Sequence, residues 1–376
     1  MTQLNGQLQD LKVFCIQNLK RHYNQQERLF CFREFVNPRE KDSTLSFRYT
    51  VIALLGLLTH KEHPLVGDCF DLDEMLRQII EKCQTCDDIQ DVGLLLWLDA
   101  FTQSGYAPRI LKKMESLIPQ EKEKYIATYE LAWLVTGVAY ALKKYKNLGG
   151  FEFLPNYGIK LFRQLRERYN PETHLFFHCA PVSLKRKIRR PISDFADQIY
   201  SIYANLAYFE LTGEAEAEKT ARDCATKLLE LQGPNGEWWW LYNADNGKIA
   251  YRYPVYTVHQ DGMAPMVLVK LAQVIQMNTG PVIEKSFNWL FSCNGTPIID
   301  YKQSHILRGV RLEPGYTKHL GVGFSLLGAD ALSDTMLYRF FRKHGTINEY
   351  RAYHLGWALY FIHYWEQFHM ENRGGV

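Results

Sequence analysis

What most narrows the fold of this chain is the spacing of its apolar residues. They recur every three or four positions along most of its length, the period that places side chains on one face of an α-helix. That spacing predicts helices near 8–24, 46–60, 71–84, 91–103, 106–118, 124–146, 157–169, 195–212, 214–232, 260–277, 282–292, 321–343 and 348–369. The joins are short and carry helix-ending residues, as at Asn170 and Pro171, Thr212 and Gly213, Gly233 to Gly236, and Thr279 to Pro281. Helices of two to four turns joined in this way group into about six hairpins of roughly 60 residues each. No Gly/Ser- or Pro-rich linker divides them. The expectation is therefore a single all-α domain over 1–376, an (α/α)6-type toroid of helical hairpins with few short strands.

The best strand candidate is 248–258, where Tyr251, Tyr253 and Val255 alternate. Two stretches break the helical rhythm, 171–194 and 233–259, and long loops on a helical scaffold are where sites tend to lie. The first carries Lys185, Arg186, Lys187, Arg189 and Arg190, which is either a solvated charge run or a clamp for an anionic substrate.

Charge excludes some partners. With 44 basic and 41 acidic residues the net charge is +3, too balanced for a nucleic-acid or membrane-surface binder read from charge alone. The start of the chain has no apolar stretch of signal-peptide type, and the longest apolar run, 51–58, is far shorter than the ~18 residues of a spanning helix. A cytoplasmic protein without an integral membrane segment is expected. The eight cysteines (Cys15, Cys31, Cys69, Cys83, Cys86, Cys179, Cys224 and Cys293) lie mostly within apolar helical patterns and read as reduced thiols. Only Cys83 and Cys86 are close in sequence, without the second pair that a zinc site needs. Neither a metal nor a cofactor is expected, and phosphate-loop, dinucleotide and serine-hydrolase motifs are missing from the sequence.

Aromatics make up 14% of the chain, with 23 Tyr and 8 Trp, a stock that suits either a core with polar handles or a pocket for sugar rings or carbocations. The densest signal is a helix ending at Gln232, a turn through Gly233, Pro234, Asn235 and Gly236, and then Trp238, Trp239 and Trp240. Tyr253, Tyr256, His259, Gln260 and Asp261 follow just before a helix, whose free amides and positive dipole end attract anions. His259 and Asp261 are candidate acid/base groups; equally, Asp261 caps the helix and His259 is a satisfied buried ring. Asp194 and Asp197 stand three apart at another helix start, the pattern of a capping pair or of paired carboxylates for glycoside chemistry. Arg308 and Arg311, then Glu349, Arg351 and His354, are either anion contacts or a buried ion-pair lock.

Lys227, Leu228, Leu229, Gln232, Gly236 and Trp238 resemble the Gln-Trp motif of squalene and hopene cyclases, echoed weakly from Lys285 to Gly295. In that family the motif ties together the hairpins of an α/α toroid, so the resemblance implies architecture. The same hairpins serve six-hairpin glycosidases, uronyl hydrolases, polysaccharide lyases and sugar epimerases. The segments Phe195 to Tyr200, Tyr253 to Met263 and Glu349 to Trp357 look like those of a bacterial group associated with polysaccharide gene neighbourhoods. What these resemblances imply is a carbohydrate-active enzyme (hydrolase, lyase or epimerase) acting by acid/base chemistry on an anionic, uronate-like glycan or glycolipid. Asp197, His259 and Asp261 would be the acid/base groups, Trp238, Trp240, Tyr253 and Tyr256 the ring-stacking floor, and Arg308 and Arg351 the anion contacts. Two alternatives stand: a terpenoid-cyclase-like enzyme and a non-catalytic binding scaffold. The first draws on Asp87, Asp88 and Asp91, a magnesium-binding spacing, and on Asp71, Asp73 and Glu74, close to a proton-donor motif.

Overall fold

The computed structural model describes residues 2–36, 39–41, 44–145, 149–292, 298–313, 315–340 and 343–373. Two kinds of helix alternate along the chain, and their sequences say which is which. The first kind is amphipathic: α1 (Thr2–His22), α3 (Leu72–Cys83), α5 (Ala107–Leu117), α7 (Phe153–Arg166), α9 (Ala215–Leu231) and α11 (Gly280–Ser292). In α5 the buried residues are Ala107, Ile110, Leu111, Met114 and Leu117, a single stripe that covers one neighbouring layer. The second kind is apolar on every side: α2 (Phe47–Thr59), α4 (Ile89–Thr102), α6 (Thr128–Lys144), α8 (Phe195–Thr212), α10 (Ala264–Ile275) and α12 (Ala352–Arg373). All residues of α4 from Ile89 to Ala100 are buried. A helix of that sort needs cover all round.

The packing supplies it. The second set forms a closed inner ring, α2 on α4, α4 on α6, α6 on α8, α8 on α10, α10 on α12 and α12 back on α2, while the amphipathic set lies outside. This is the expected six-hairpin α/α toroid. Glycines let inner helices touch backbone to backbone: a Cβ on Gly56 of α2 would overlap the Gly356 carbonyl of α12, and one on Gly137 of α6 would overlap the Gly93 carbonyl of α4. Outside the closing contact, α1 is clipped to α12 by Lys12 on Glu366 (2.7 Å) and by the Trp365 indole donating to Asn5 (3.0 Å).

The short strands sit at one end of the ring, because several run straight into the N-termini of inner helices. Among them are β1 (Glu34–Val36), β2 (Ile192–Asp194), β3 (Leu241–Asn243), β4 (Lys248–Tyr251), β5 (Val255–Tyr256), β6 (Gly309–Leu312), β7 (His344–Ile347) and β8 (Glu349–Tyr350). β2 pairs with β3 and β3 with β4; β6 joins β5 to β7; β8 pairs with β1. A satellite core of Ile192, Leu241, Ala250, Tyr251, Leu312 and Leu337 lies between these ribbons and 317–337.

Some expectations need correcting. The helix expected over 321–343 is interrupted: Thr317–Leu326 ends before Gly328, whose φ of +71° stops the helix, and short pieces follow to Phe340 before β7 begins. The loop expected over 171–194 contains the short helix Leu184–Arg189, capped by Ser183. The Gln-Trp segment is a clasp: Gln232 Nε2 donates to the Gly236 carbonyl (3.1 Å), Gly236 (φ +103°) lies against the Lys285 backbone, and the Trp238 indole donates to Ser286 (2.9 Å). The segment and its weaker echo thus bind each other, and Cys293 within the echo lies outside the described residues.

Candidate active site at the inner-ring mouth

All six inner helices bring their N-terminal ends to the same opening, and side chains link each end to the next. Arg48 of α2 bonds Asp91 of α4 (2.6 Å) and Glu130 of α6 (3.1 Å). The Tyr129 amide of α6 donates to Asp197 of α8 (3.0 Å), and Phe195 of α8 packs on His259, 4.5 Å between ring centres. His259 belongs to a π-helical turn, His259–Met263, that leads into α10, and Asp261 of that turn is bonded by His354 of α12 (2.8 and 2.9 Å). Arg351, just ahead of α12, donates to the Tyr49 hydroxyl of α2 (2.9 Å) and closes the circle. Six helix N-termini give the opening a positive field, which favours anionic groups.

One side of the mouth carries three titratable groups. Asp194 is the N-cap residue of α8, and its amide is held by the side chain of Asp197 three positions on. Asp197 is fully buried and accepts from the Tyr129 amide, the Asp194 amide (2.7 Å) and His178 Nδ1 (2.8 Å). Asp194 keeps 17% of its side chain exposed, lies 3.8 Å from His178 and is bonded by Arg189 (3.2 Å). Burial, then the charge of Asp197 beside it, pushes the Asp194 carboxyl above the usual carboxylate range. Burial opposes charge on the His178 ring, but Asp197 and then Asp194 outweigh it and hold that ring above the ordinary histidine value. Ligand atoms of His178, Asp194 and Asp197 lie within 4.8 Å of one another, the one trio among the described residues whose geometry suits a metal ion. Asp197 already has three donors, so the same geometry serves a proton-sharing pair.

Next to this trio is a cavity of about 330 Å³ with an aromatic and cationic wall. Trp240, Tyr251, Tyr253 and Tyr256 supply the rings, and Arg33, Arg308, Arg311, Lys318 and Arg351 the cations. Lys318 Nζ lies 3.7 Å from the Trp240 ring centre and the Arg308 guanidinium 4.7 Å from that of Tyr256. Glu349 at the cavity floor pairs with Arg308, Arg351 (2.8 Å) and Arg33 (3.3 Å). One carboxylate against five cations leaves the wall positive. Lys318 and Tyr256 are close enough to Asp194 for their charges to act on each other, which places Asp194 at the cavity edge.

The structure gathers Trp240, Tyr253, Tyr256, Arg308 and Arg351 around one cavity, whereas four other expected residues lie elsewhere. Trp238 is in the core, 1% exposed, holding Ser286. Asp197 and Asp261 are fully buried and hydrogen-bonded in separate sets, so neither presents a carboxylate to a substrate. His259 is 4% exposed, and burial pushes it down to about 3, which keeps its ring neutral. Of the acidic motifs, Asp91 bonds Arg48, Asp87 pairs with Lys113 (3.6 Å) and Asp71 caps α3 by accepting from the Glu74 amide. Burial keeps the Cys83 and Cys86 thiols high, at about 12 and 11.

Sequence reasoning missed His178, Arg48, Lys318 and Arg33. Each acts across a gap in the chain, as His178 does on Asp197 and Arg48 on Asp91 and Glu130. Only Asp194 had a local signal, its spacing from Asp197.

By sequence, no family model and no curated protein matches. By structure, the chain is similar to an unsaturated glucuronyl hydrolase specific for heparin (TM-score 0.63, 10% identity, 98% of this chain and 99% of that one). It is also similar to the unsaturated glucuronyl hydrolases of Streptococcus agalactiae (TM-score 0.61, 9% identity, 96% and 91%) and Bacillus sp. GL1 (TM-score 0.59, 12% identity, 98% and 97%). At these identities the likeness is one of fold, over more than nine-tenths of each chain.

Proposed function

We propose that the chain is a carbohydrate-active enzyme that takes an anionic, uronate-bearing sugar into the inner-ring mouth and acts on it by acid/base chemistry, as a hydrolase. The observation that carries this reading is the partly exposed Asp194 carboxyl, held above the usual carboxylate range by burial and by Asp197, beside a cavity of Trp, Tyr and arginine. Rings stack on the apolar face of a sugar, arginines grip a carboxylate through two hydrogen bonds, and a carboxyl held above its ordinary range is better placed to act as a general acid. The solved structures of like fold are named for cleavage of glucuronyl residues, which supports the substrate class.

In this proposal Asp194 is the general acid and Trp240, Tyr253 and Tyr256 are the sugar floor. Arg308 and Arg351, aligned by Glu349, hold the uronate. Asp197 is a positioning residue that fixes Asp194 and His178, and the Asp261–His354 pair and His259 do the same for α10 and α12. The ring of six hairpins supports one domain over 1–376, and seven described free cysteines support a cytoplasmic, reducing setting. Among the described residues no helix is long and apolar enough to cross a membrane.

The test is turnover of unsaturated uronyl disaccharides, followed as loss of the ultraviolet absorbance of the conjugated uronate. Asp194→Asn should lower kcat by roughly 10²- to 10⁴-fold, the range for removing a general acid. Full activity in Asp194→Asn, or no turnover of any uronyl substrate by the unaltered protein, overturns the reading.

A further inference from the structure

Large apolar side chains left in water are concentrated on two segments beside the mouth. Val182, Leu184 and Ile188 project from the first, with Leu184 75% exposed. Tyr316, Leu320, Leu326, Leu327, Met336 and Phe340 project from the second, where Leu327 is 83% and Phe340 72% exposed. Only four other residues of this kind are exposed among the described ones, and one of them, Tyr125, accepts a hydrogen bond from Arg186 of the first segment. Clustering of this degree is unusual on a protein surface that stays in water.

The two segments form one rim. The first runs into β2, whose Ile192 shares the satellite core with Leu337 of the second, and Val322 packs on that core. Arg189 of the first segment and Lys318 of the second both face Asp194. Cations alternate with the apolar groups. Exposed Lys185 and Lys187 lie between Leu184 and Ile188, and Arg339 precedes Phe340. From 182 to 190 there are five basic residues and no acidic one.

We propose that this rim docks on an anionic lipid surface, with the apolar side chains entering the headgroup boundary and the cations meeting the headgroups. Short helices with apolar tips and lysines at the same level are built for the interface plane, and they enter it without spanning. The basic residues set among these apolar groups, and the cationic wall of the cavity beside them, match anionic headgroups in charge. Docked in this way, the mouth faces the membrane, so its sugar arrives attached to a lipid. That last step rests on the glycan reading; the docking does not.

Co-sedimentation with sucrose-loaded vesicles tests it, comparing phosphatidylcholine alone with phosphatidylcholine containing one third phosphatidylglycerol. The protein should pellet with the anionic vesicles, weaken with added salt, and bind the neutral ones at least tenfold less. Leu184→Ser with Ile188→Ser, and Leu327→Ser with Phe340→Ser, should each lower partitioning roughly tenfold or more. Lys185→Glu with Lys187→Glu should lower it by at least about fivefold per cation removed. These positions are exposed, and an unchanged thermal melt confirms folding. Failure of the unaltered protein to bind anionic vesicles overturns the proposal, as does unchanged binding by all three variants. A dimer in light scattering that Leu327→Ser with Phe340→Ser makes monomeric would assign the face to a second copy. Loss of turnover without loss of vesicle binding would remove the glycan reading and leave the docking.

Discussion

Replacing His354 by Ala would test whether the mouth is held by buried charge. Asp261 is fully buried and both its oxygens lie within 2.9 Å of His354 Nε2, itself 3% exposed. Removing the ring strands a carboxylate away from water, which costs about 3–5 kcal/mol for a broken buried pair. For 376 residues the unfolding entropy is about 0.8 kcal/mol per degree at roughly 2.1 cal/mol/K per residue, so the melting temperature should fall by about 4–6 °C. Differential scanning calorimetry reads that directly. Adding Asp261→Asn removes the stranded charge, so the double variant should melt no lower than His354→Ala alone, and a double-mutant cycle should show a coupling well above the ~0.5 kcal/mol of independent sites. A fall of less than one degree in His354→Ala would refute the argument, because it would mean Asp261 finds water or another donor.

Acid should destabilise the fold through two neutral histidines. Burial pushes His259 down to about 3 and His60 to about 4, while both titrate near 6.5 once unfolded. The unfolded chain therefore binds more protons between those values, stability falls as pH drops from about 6.5, and His259→Asn should make the pH 4–7 series of thermal melts shallower. In the mouth, Lys318→Met removes a cation that lowers the Asp194 pKa, so the alkaline limb of the kcat/KM profile should move to higher pH; a move to lower pH would exclude Asp194 as the acid. Gly56→Ala should destabilise by about 2 kcal/mol or more, since its methyl meets the Gly356 carbonyl, and an unchanged melt would deny the close contact of α2 and α12.

The helices were legible because each is written in contiguous residues: the 3.6-residue period marked α8 at 195–212 and α4 within two residues of its ends. The break near Gly328 was not, since apolar spacing continues through 321–343 while one positive φ ends the helix. Rings and arginines of the cavity were found because they cluster in type and position around 238–256 and 308–351. The roles of Asp197 and Asp261 were not, because burial decides them. A carboxylate at a helix start reads alike whether it faces a substrate or a histidine 93 positions away, as Asp261 does. His178, Lys318 and Arg33 join the mouth through the ring's curvature, which has no signature in a linear sequence.

The backbone contact between Gly56 and Gly356 joins positions 300 apart in the chain. At a translation rate of about 5–20 residues per second, α2 waits roughly 15–60 s before α12 has been synthesised. During that time the face of α2 that α12 will cover has no native partner, and α2 is buried without interruption from Thr50 to Leu57 in the finished ring. Such high-separation contacts slow folding and leave apolar surface open to other chains. Yield in expression should therefore depend on chaperone supply and growth temperature more than the stability of the finished ring would suggest.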